Sequence, residues 1–200
     1  MNSEQLAIPR KHLETDDLFN SLYPPDIQLM ARRHWTPLHV VKMATEFLRG
    51  GLGTKVLDIG SGAGKFCLAA ALYAPNVDFY GVEQRDYLVQ TADEVKEKLA
   101  VTNAFFIEGN FTRLNLGQFD HFYFFNSFYE NLDDNDRIDE TINYSEALYE
   151  YYVRYLRAGL RSMPVGTKIV TYHSLNEEVP REYRLVETME NGELNFWVRK

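Results

Sequence analysis

The sequence predicts an α/β protein of three layers. A doubly wound, mostly parallel seven-stranded sheet lies at its centre and ends in a C-terminal β-hairpin. Three observations lead there. Short apolar runs alternate with helical patterns along the 200 residues, an order that builds a parallel sheet with helices on its faces. Val56-Leu57-Asp58-Ile59-Gly60-Ser61-Gly62-Ala63-Gly64 reads as a buried strand entering a glycine-rich turn, with a helix at once after it. Near the end, Glu190-Asn191-Gly192 separates two β-rich runs, and Asn-Gly in that setting marks a hairpin.

Taken in order, residues 1–35 read as a helical or irregular arm, polar at first and broken by Pro9, with a turn at Tyr23-Pro24-Pro25. Residues 36–200 read as the main domain. Thr36 suits a helix N-cap with Pro37 at the first helical position. Val40, Val41, Ala44, Phe47 and Leu48 then recur near a 3.6 period, until Gly50-Gly51 stops the helix. The first strand follows, and then a helix from Lys65 to Leu72. Val77–Glu83 is the second strand. Residues 86–100 are helical, with Leu88, Ala92, Val95 and Leu99 on one side. Ala104–Ile107 is the third strand and Phe119–Phe125 the fourth, densely aromatic. A polar stretch precedes a long helix from about Glu140 to Arg161. Gly166–Tyr172 is the fifth strand, and Tyr183–Glu187 and Leu194–Val198 form the hairpin.

Composition narrows the class. An apolar fraction of 45% with 14% aromatics suits a globular chain, and 200 residues suffice for one sizeable core. A net charge of −8 disfavours a general nucleic-acid binder, which needs a basic footprint, so no nucleic-acid partner is expected. The one cysteine, Cys67, rules out a disulfide framework. No metal-ligand spacing joins the five histidines. No apolar run reaches membrane-spanning length, and Met1–Glu14 lacks a signal-peptide core. The expectation is a cytoplasmic monomer or homodimer.

The turn carries the chemistry. Glycines without a Cβ permit a sharp turn, a ligand against the backbone, and close packing of the following helix. The helix N-terminus offers N–H groups to an anionic ligand part. Glu83 ends the second strand, about twenty-five residues after Asp58, where an acid grips ribose hydroxyls. The Gly60-x-Gly62-x-Gly64 spacing differs from the G-x-G-x-x-G of dinucleotide enzymes.

Together with Asp58, that spacing resembles motif I of the Rossmann-like class I S-adenosylmethionine (SAM) methyltransferases. The resemblance implies SAM as cofactor. Asp58, Gly60, Ser61, Gly62 and Gly64 would lie under its amino-acid part, and Glu83, with Gln84 beside it, at the ribose. A narrower resemblance joins Asp58–Gly64, Tyr80-Gly81-Val82-Glu83, Gly109-Asn110-Phe111, Phe125-Asn126-Ser127-Phe128-Tyr129 and Gly166–Val170. Over roughly residues 34–172 the chain is similar to the non-SET, telomeric-silencing (Dot-type) histone lysine methyltransferases. That family holds the adenine amino group with an acid before Phe111. Here the position is Asn110, whose amide oxygen can accept the same bond. His34-Trp35-Thr36-Pro37 is similar to a segment that closes over the methionine part of SAM in related mitochondrial lysine methyltransferases, which brings Thr36 to the cofactor. The resemblance implies that Asn126 lies at the methyl-transfer site.

A lysine acceptor must be neutral, and an apolar aromatic channel favours that form by desolvation. Asn126 would orient the amine, and Phe128 and Tyr129 would wall the channel. The catalytic candidates are therefore Asn126 and Tyr129. The acceptor is expected to be a protein lysine or, alternatively, a small molecule. A third reading is a SAM-binding regulator without turnover, with the acid-rich loop Asp133–Asp139 as a contact surface.

Overall fold

The computed structural model describes residues 11–133, 135 and 137–200. The first ten residues of the arm, and Asp134 and Asp136 of the acidic loop, lie outside the described residues. Among the described residues the first elements along the chain are α1 (Asp16–Asn20), α2 (Pro25–Gln28) and α3 (Ala31–His34), all short helices. Then come α4 (Leu38–Leu48), β1 (Thr54–Ile59), α5 (Lys65–Tyr73), β2 (Val77–Glu83), α6 (Asp86–Leu99), β3 (Ala104–Glu108) and β4 (His121–Phe125). Helix α7 (Glu146–Arg161), β5 (Lys168–Tyr172), β6 (Tyr183–Met189) and β7 (Leu194–Arg199) complete it. The seven strands run in the order β3-β2-β1-β4-β5-β7-β6. The first five are parallel, β7 inserts antiparallel beside β5, and β6 pairs antiparallel at the edge.

Alternation along the strands divides the core in two. Val56, Phe79, Tyr123 and Val170 face one cluster, which packs on α4, α5 and α6. Leu57, Val82, Phe122, Phe124 and Ile169 face the other, packed on α7. The layers are therefore uneven: among the longer helices described, α4, α5 and α6 cover one face and α7 the other. Phe19, Tyr23, Ile27 and Trp35 of the arm are buried in the first cluster.

Two boundaries differ from the sequence reading, each through a distant contact. Helix α4 starts at Leu38, and Pro37 is its N-cap. Thr36 does not cap it, because the Thr36 hydroxyl is buried against the Tyr123 hydroxyl at 2.7 Å. The Asp16 carboxylate instead accepts the Leu38 N–H at 3.1 Å. Helix α7 starts at Glu146, where the Ser145 hydroxyl accepts the Leu148 N–H. Residues 140–145 are drawn off the helix by side-chain bonds described below. In the hairpin turn Glu190 and Asn191 both take positive φ, 50° and 55°, so the turn forms where the Asn-Gly signal lies. Among the described residues no helix is long and apolar enough to cross a membrane.

Candidate active site

Parallel strands β1, β2 and β4 end at the same edge of the sheet, and a cavity opens there. It encloses about 110 Å³. Gly60, Gly62, Glu83, Gln84, Phe111, Asn126 and Tyr129 line it. The glycine turn explains one wall. Gly64, at φ 78°, lets α5 approach so closely that a Cβ would meet Phe106 at 2.5 Å and Ala92 at 2.8 Å. At Gly62, with φ 52°, a Cβ would meet nothing within 4 Å. That bare backbone at the cavity is where a ligand can rest.

Glu83 is held by several donors at once. Its Oε1 accepts the Gln84 N–H at 2.8 Å, the Arg85 N–H at 3.1 Å and Arg85 Nη1 at 3.3 Å. Among the described residues its Oε2 accepts only the Gly62 N–H, at 3.2 Å. One carboxylate oxygen is thus fixed and the other keeps lone-pair capacity for a hydroxyl. A ribose-bearing cofactor fits this pair, an open glycine and an oriented acid.

Other sequence candidates stand behind the wall. Asp58 is 4% exposed and does not line the cavity. Burial pushes its carboxyl up to about 8, against a lowering bond from Cys67 and with a further rise from nearby Glu83. The Ser61 hydroxyl is packed over Gly81 and has no hydrogen-bond partner among the described residues. Thr36 is turned to Tyr123, while its neighbours His34 and Trp35 reach the cavity. Asn110 departs from its expected role. Its oxygen accepts the N–H and hydroxyl of Thr112, capping the turn Phe111–Arg113. Its amide nitrogen donates to Gln84 Oε1 at 2.9 Å and to the Tyr152 hydroxyl at 2.8 Å. The first turn of α5 holds Lys65, buried and paired with Asp16.

Asn126 closes β4 with φ 47°, and its N–H bonds to the Tyr172 carbonyl at 3.1 Å. Ser127, next to it, donates to the Ile59 carbonyl, locking the β4 exit onto the glycine turn. Beyond it, Phe111 stacks on Phe128 at 5.2 Å, and Tyr152 meets Phe111 edge-on at 5.6 Å. Residues missed in the sequence complete the cavity: Met30, Arg33, Arg85, Tyr144 and Tyr152. The residues of α3 and α7 among them carry no local motif. Arg85, two residues past Glu83, was within reach of the sequence reading.

Residues 52–196, well over half of the chain, match a family described as a methyltransferase domain. A tRNA (guanine-N(7)-)-methyltransferase of Microcystis aeruginosa is 43% identical over 54 residues, 27% of this chain and 26% of that protein. A Synechococcus protein of the same description is 34% identical over 87 residues, 44% of this chain and 30% of that protein. The matches thus span under a third of these relatives. A Salinibacter ruber RNA methyltransferase, solved with S-adenosyl-L-homocysteine, shares the fold with a TM-score of 0.57 at 18% identity. That likeness covers 82% of this chain and 93% of that one.

These relatives overturn the exclusion of nucleic acid, since the curated ones are tRNA methyltransferases. The inference failed because net charge sums over the whole chain, whereas recognition is local. Arg113, Arg154, Arg161, Arg181 and Arg184 are all exposed despite the total of −8. Nor do these relatives carry the narrower likeness to histone lysine methyltransferases. What the fold, the cavity and the family match share is one conclusion: the chain belongs to the methyltransferase-domain family.

Proposed function

We propose that the chain is an S-adenosylmethionine-dependent methyltransferase whose acceptor is a base nitrogen of an RNA. The observation that carries this reading is the local identity with two tRNA (guanine-N(7)-)-methyltransferases. The site agrees with it in kind. A flipped base is a flat π-system read by stacking and by hydrogen bonds at its edge. Asn126 offers an amide at the cavity beside Phe128 and Tyr129.

SAM, when bound, supplies an activated sulfonium methyl group. The chain supplies position. Glu83 Oε2 takes the ribose, and the bare Gly62 backbone takes the ligand's close approach. Gly60, Gln84 and Phe111 complete the cofactor wall. Thr36, Asp58, Ser61, Gly64 and Asn110 act from behind it, Asn110 by holding the Gln84 side chain. Asn126 orients the acceptor nitrogen, and Tyr129 walls the channel. Residues 1–35 serve as an arm that adds His34 and Trp35 to the cavity of the 36–200 domain.

The test is incubation with methyl-labelled SAM and total cell extract, followed by nuclease or protease digestion. Label released as a methylated nucleoside supports the reading. Label that resists nuclease and is released by protease overturns it and returns the lysine acceptor.

A further inference from the structure

Gln84 directly follows Glu83 and lines the cavity. Its side chain is exposed, yet its amide has one defined orientation, set through two neighbours. The Thr112 backbone N–H can only donate, and it donates to the Asn110 side chain at 3.0 Å, as does the Thr112 hydroxyl at 2.9 Å. The Asn110 atom that receives them is therefore the amide oxygen, Oδ1. The other end is the nitrogen Nδ2, which lies 2.9 Å from the Gln84 amide and 2.8 Å from the Tyr152 hydroxyl. Its two hydrogens go to these two atoms. The Gln84 atom that faces it must be the oxygen, Oε1, and Nε2 is the end left over.

This chain of bonds leaves donors at the cavity. Gln84 Nε2 keeps both of its hydrogens. The Tyr152 hydroxyl accepts from Asn110 and so keeps its proton. Among the described residues neither group has an acceptor, and both residues line the cavity. Asn110 Oδ1 has both lone pairs taken by Thr112, so it is not offered to an adenine amino group. An acid at this position would present lone pairs to a ligand. Asn110 makes the wall present hydrogens instead.

We infer that Asn110 is a positioning residue that presents Gln84 Nε2 as a donor to N3 of the cofactor's adenine; this rests on the cavity being a SAM site and adds how the base is recognised there. Glu83 and Gln84 are adjacent, so the acid for the ribose and the donor for the base come as one unit. N3 is an acceptor on the edge of adenine that flanks the sugar. A ring nitrogen of this kind accepts and never donates, so the contact depends on which end of the amide faces it. Aspartate at position 110 reverses that end. Its carboxylate still caps the turn, since Asp and Asn serve equally as N-caps, but it has no hydrogen to give Gln84. Gln84 Nε2 then turns to the carboxylate, and Oε1 is set against the N3 lone pair.

The test needs no acceptor, so it stands or falls apart from the RNA reading. S-adenosylhomocysteine and its 3-deazaadenosine analogue, in which a C–H replaces N3, are titrated by calorimetry into wild type, Asn110→Asp and Gln84→Leu. Wild type should bind the parent compound about fivefold tighter than the analogue, the scale of one net hydrogen bond. Asn110→Asp should bind the parent at least about tenfold more weakly than wild type does and lose the preference, because its Gln84 Oε1 meets a C–H without repulsion. Gln84→Leu, a change at an exposed side chain that spares the fold, should lose the preference too. An equal loss for both compounds in Asn110→Asp, with the preference kept, would overturn the inference and leave Asn110 as a support of the local turn. Wild-type affinities in that variant would also overturn it, as would a wild type that does not distinguish the two compounds. A wild type that binds neither compound would overturn the SAM site itself, a result separate from the other three.

Discussion

Single residues divide into those that meet the cofactor and those that set its surroundings. Glu83→Ala removes the acceptor of the Gly62 and Arg85 donors together with the ribose contact. Calorimetry should show SAM binding at least about tenfold weaker, since a charge-assisted bond contributes roughly 1.5–3 kcal/mol. Asn126→Ala should act on rate instead. Its oriented amide matters most as charge develops at the acceptor, so kcat should fall by about two orders of magnitude, while the SAM dissociation constant stays close to wild type. Asp58 governs stability against pH. Its carboxyl lies at about 8 in the folded chain, against 3.8 as the ordinary value, because it is buried. Between those values the folded state holds a proton that the unfolded state has lost. The stability contributed by neutral Asp58 is therefore full below 3.8 and is lost as pH rises toward 8. Denaturation midpoints of the wild type should fall from pH 5 to pH 8, and Asp58→Asn should flatten that decline.

At the scale of elements, the sequence was most legible where contacts are local. The β1-turn-α5 unit was readable because its strand alternation, glycines and helix onset lie within a few residues. The hairpin was readable for the same reason, with Asn191-Gly192 at its turn. Helix α4 was misjudged by one residue because its first N–H is satisfied by Asp16, far back in the arm. Helix α7 was begun too early because Thr141 and Tyr144 are held by Asp139, Glu130 and Arg85. No pattern within residues 140–161 reports a partner at 85. The Asp16 contact also makes a stability prediction. Asp16 pairs with the buried ammonium of Lys65 as well as capping α4. Asp16→Ala leaves that ammonium uncompensated and should destabilise the chain by about 2–4 kcal/mol in urea unfolding. Lys65→Met in the same chain should recover much of the loss, because an apolar replacement removes the buried charge.

The whole molecule places every one of these features at one edge of the sheet, where parallel strands end and loops converge. The acceptor was the least legible property, because it depends on surface charge in three dimensions and the sequence offers only a sum. That sum, −8, hides an uneven surface. On α7, Arg154 and Arg157 are three residues apart and so share a helix face, and Arg154 is exposed. The helix begins at Glu146, directly after Tyr144 of the cavity wall, so its outer face continues away from the site. A large RNA whose base occupies the cavity would lie along that face and meet these guanidinium groups through its phosphates. Phosphate contacts add affinity that falls with salt and carry no sequence information. Reversing both charges, Arg154→Glu with Arg157→Glu, should therefore lower kcat/KM for RNA by at least about tenfold at low salt and flatten its salt dependence. The SAM dissociation constant should not change, because neither residue lines the cavity. Equal kcat/KM and an equal salt slope in the double variant would show that RNA approaches by another face, and the exposed Arg113, Arg181 and Arg184 would be the next to reverse.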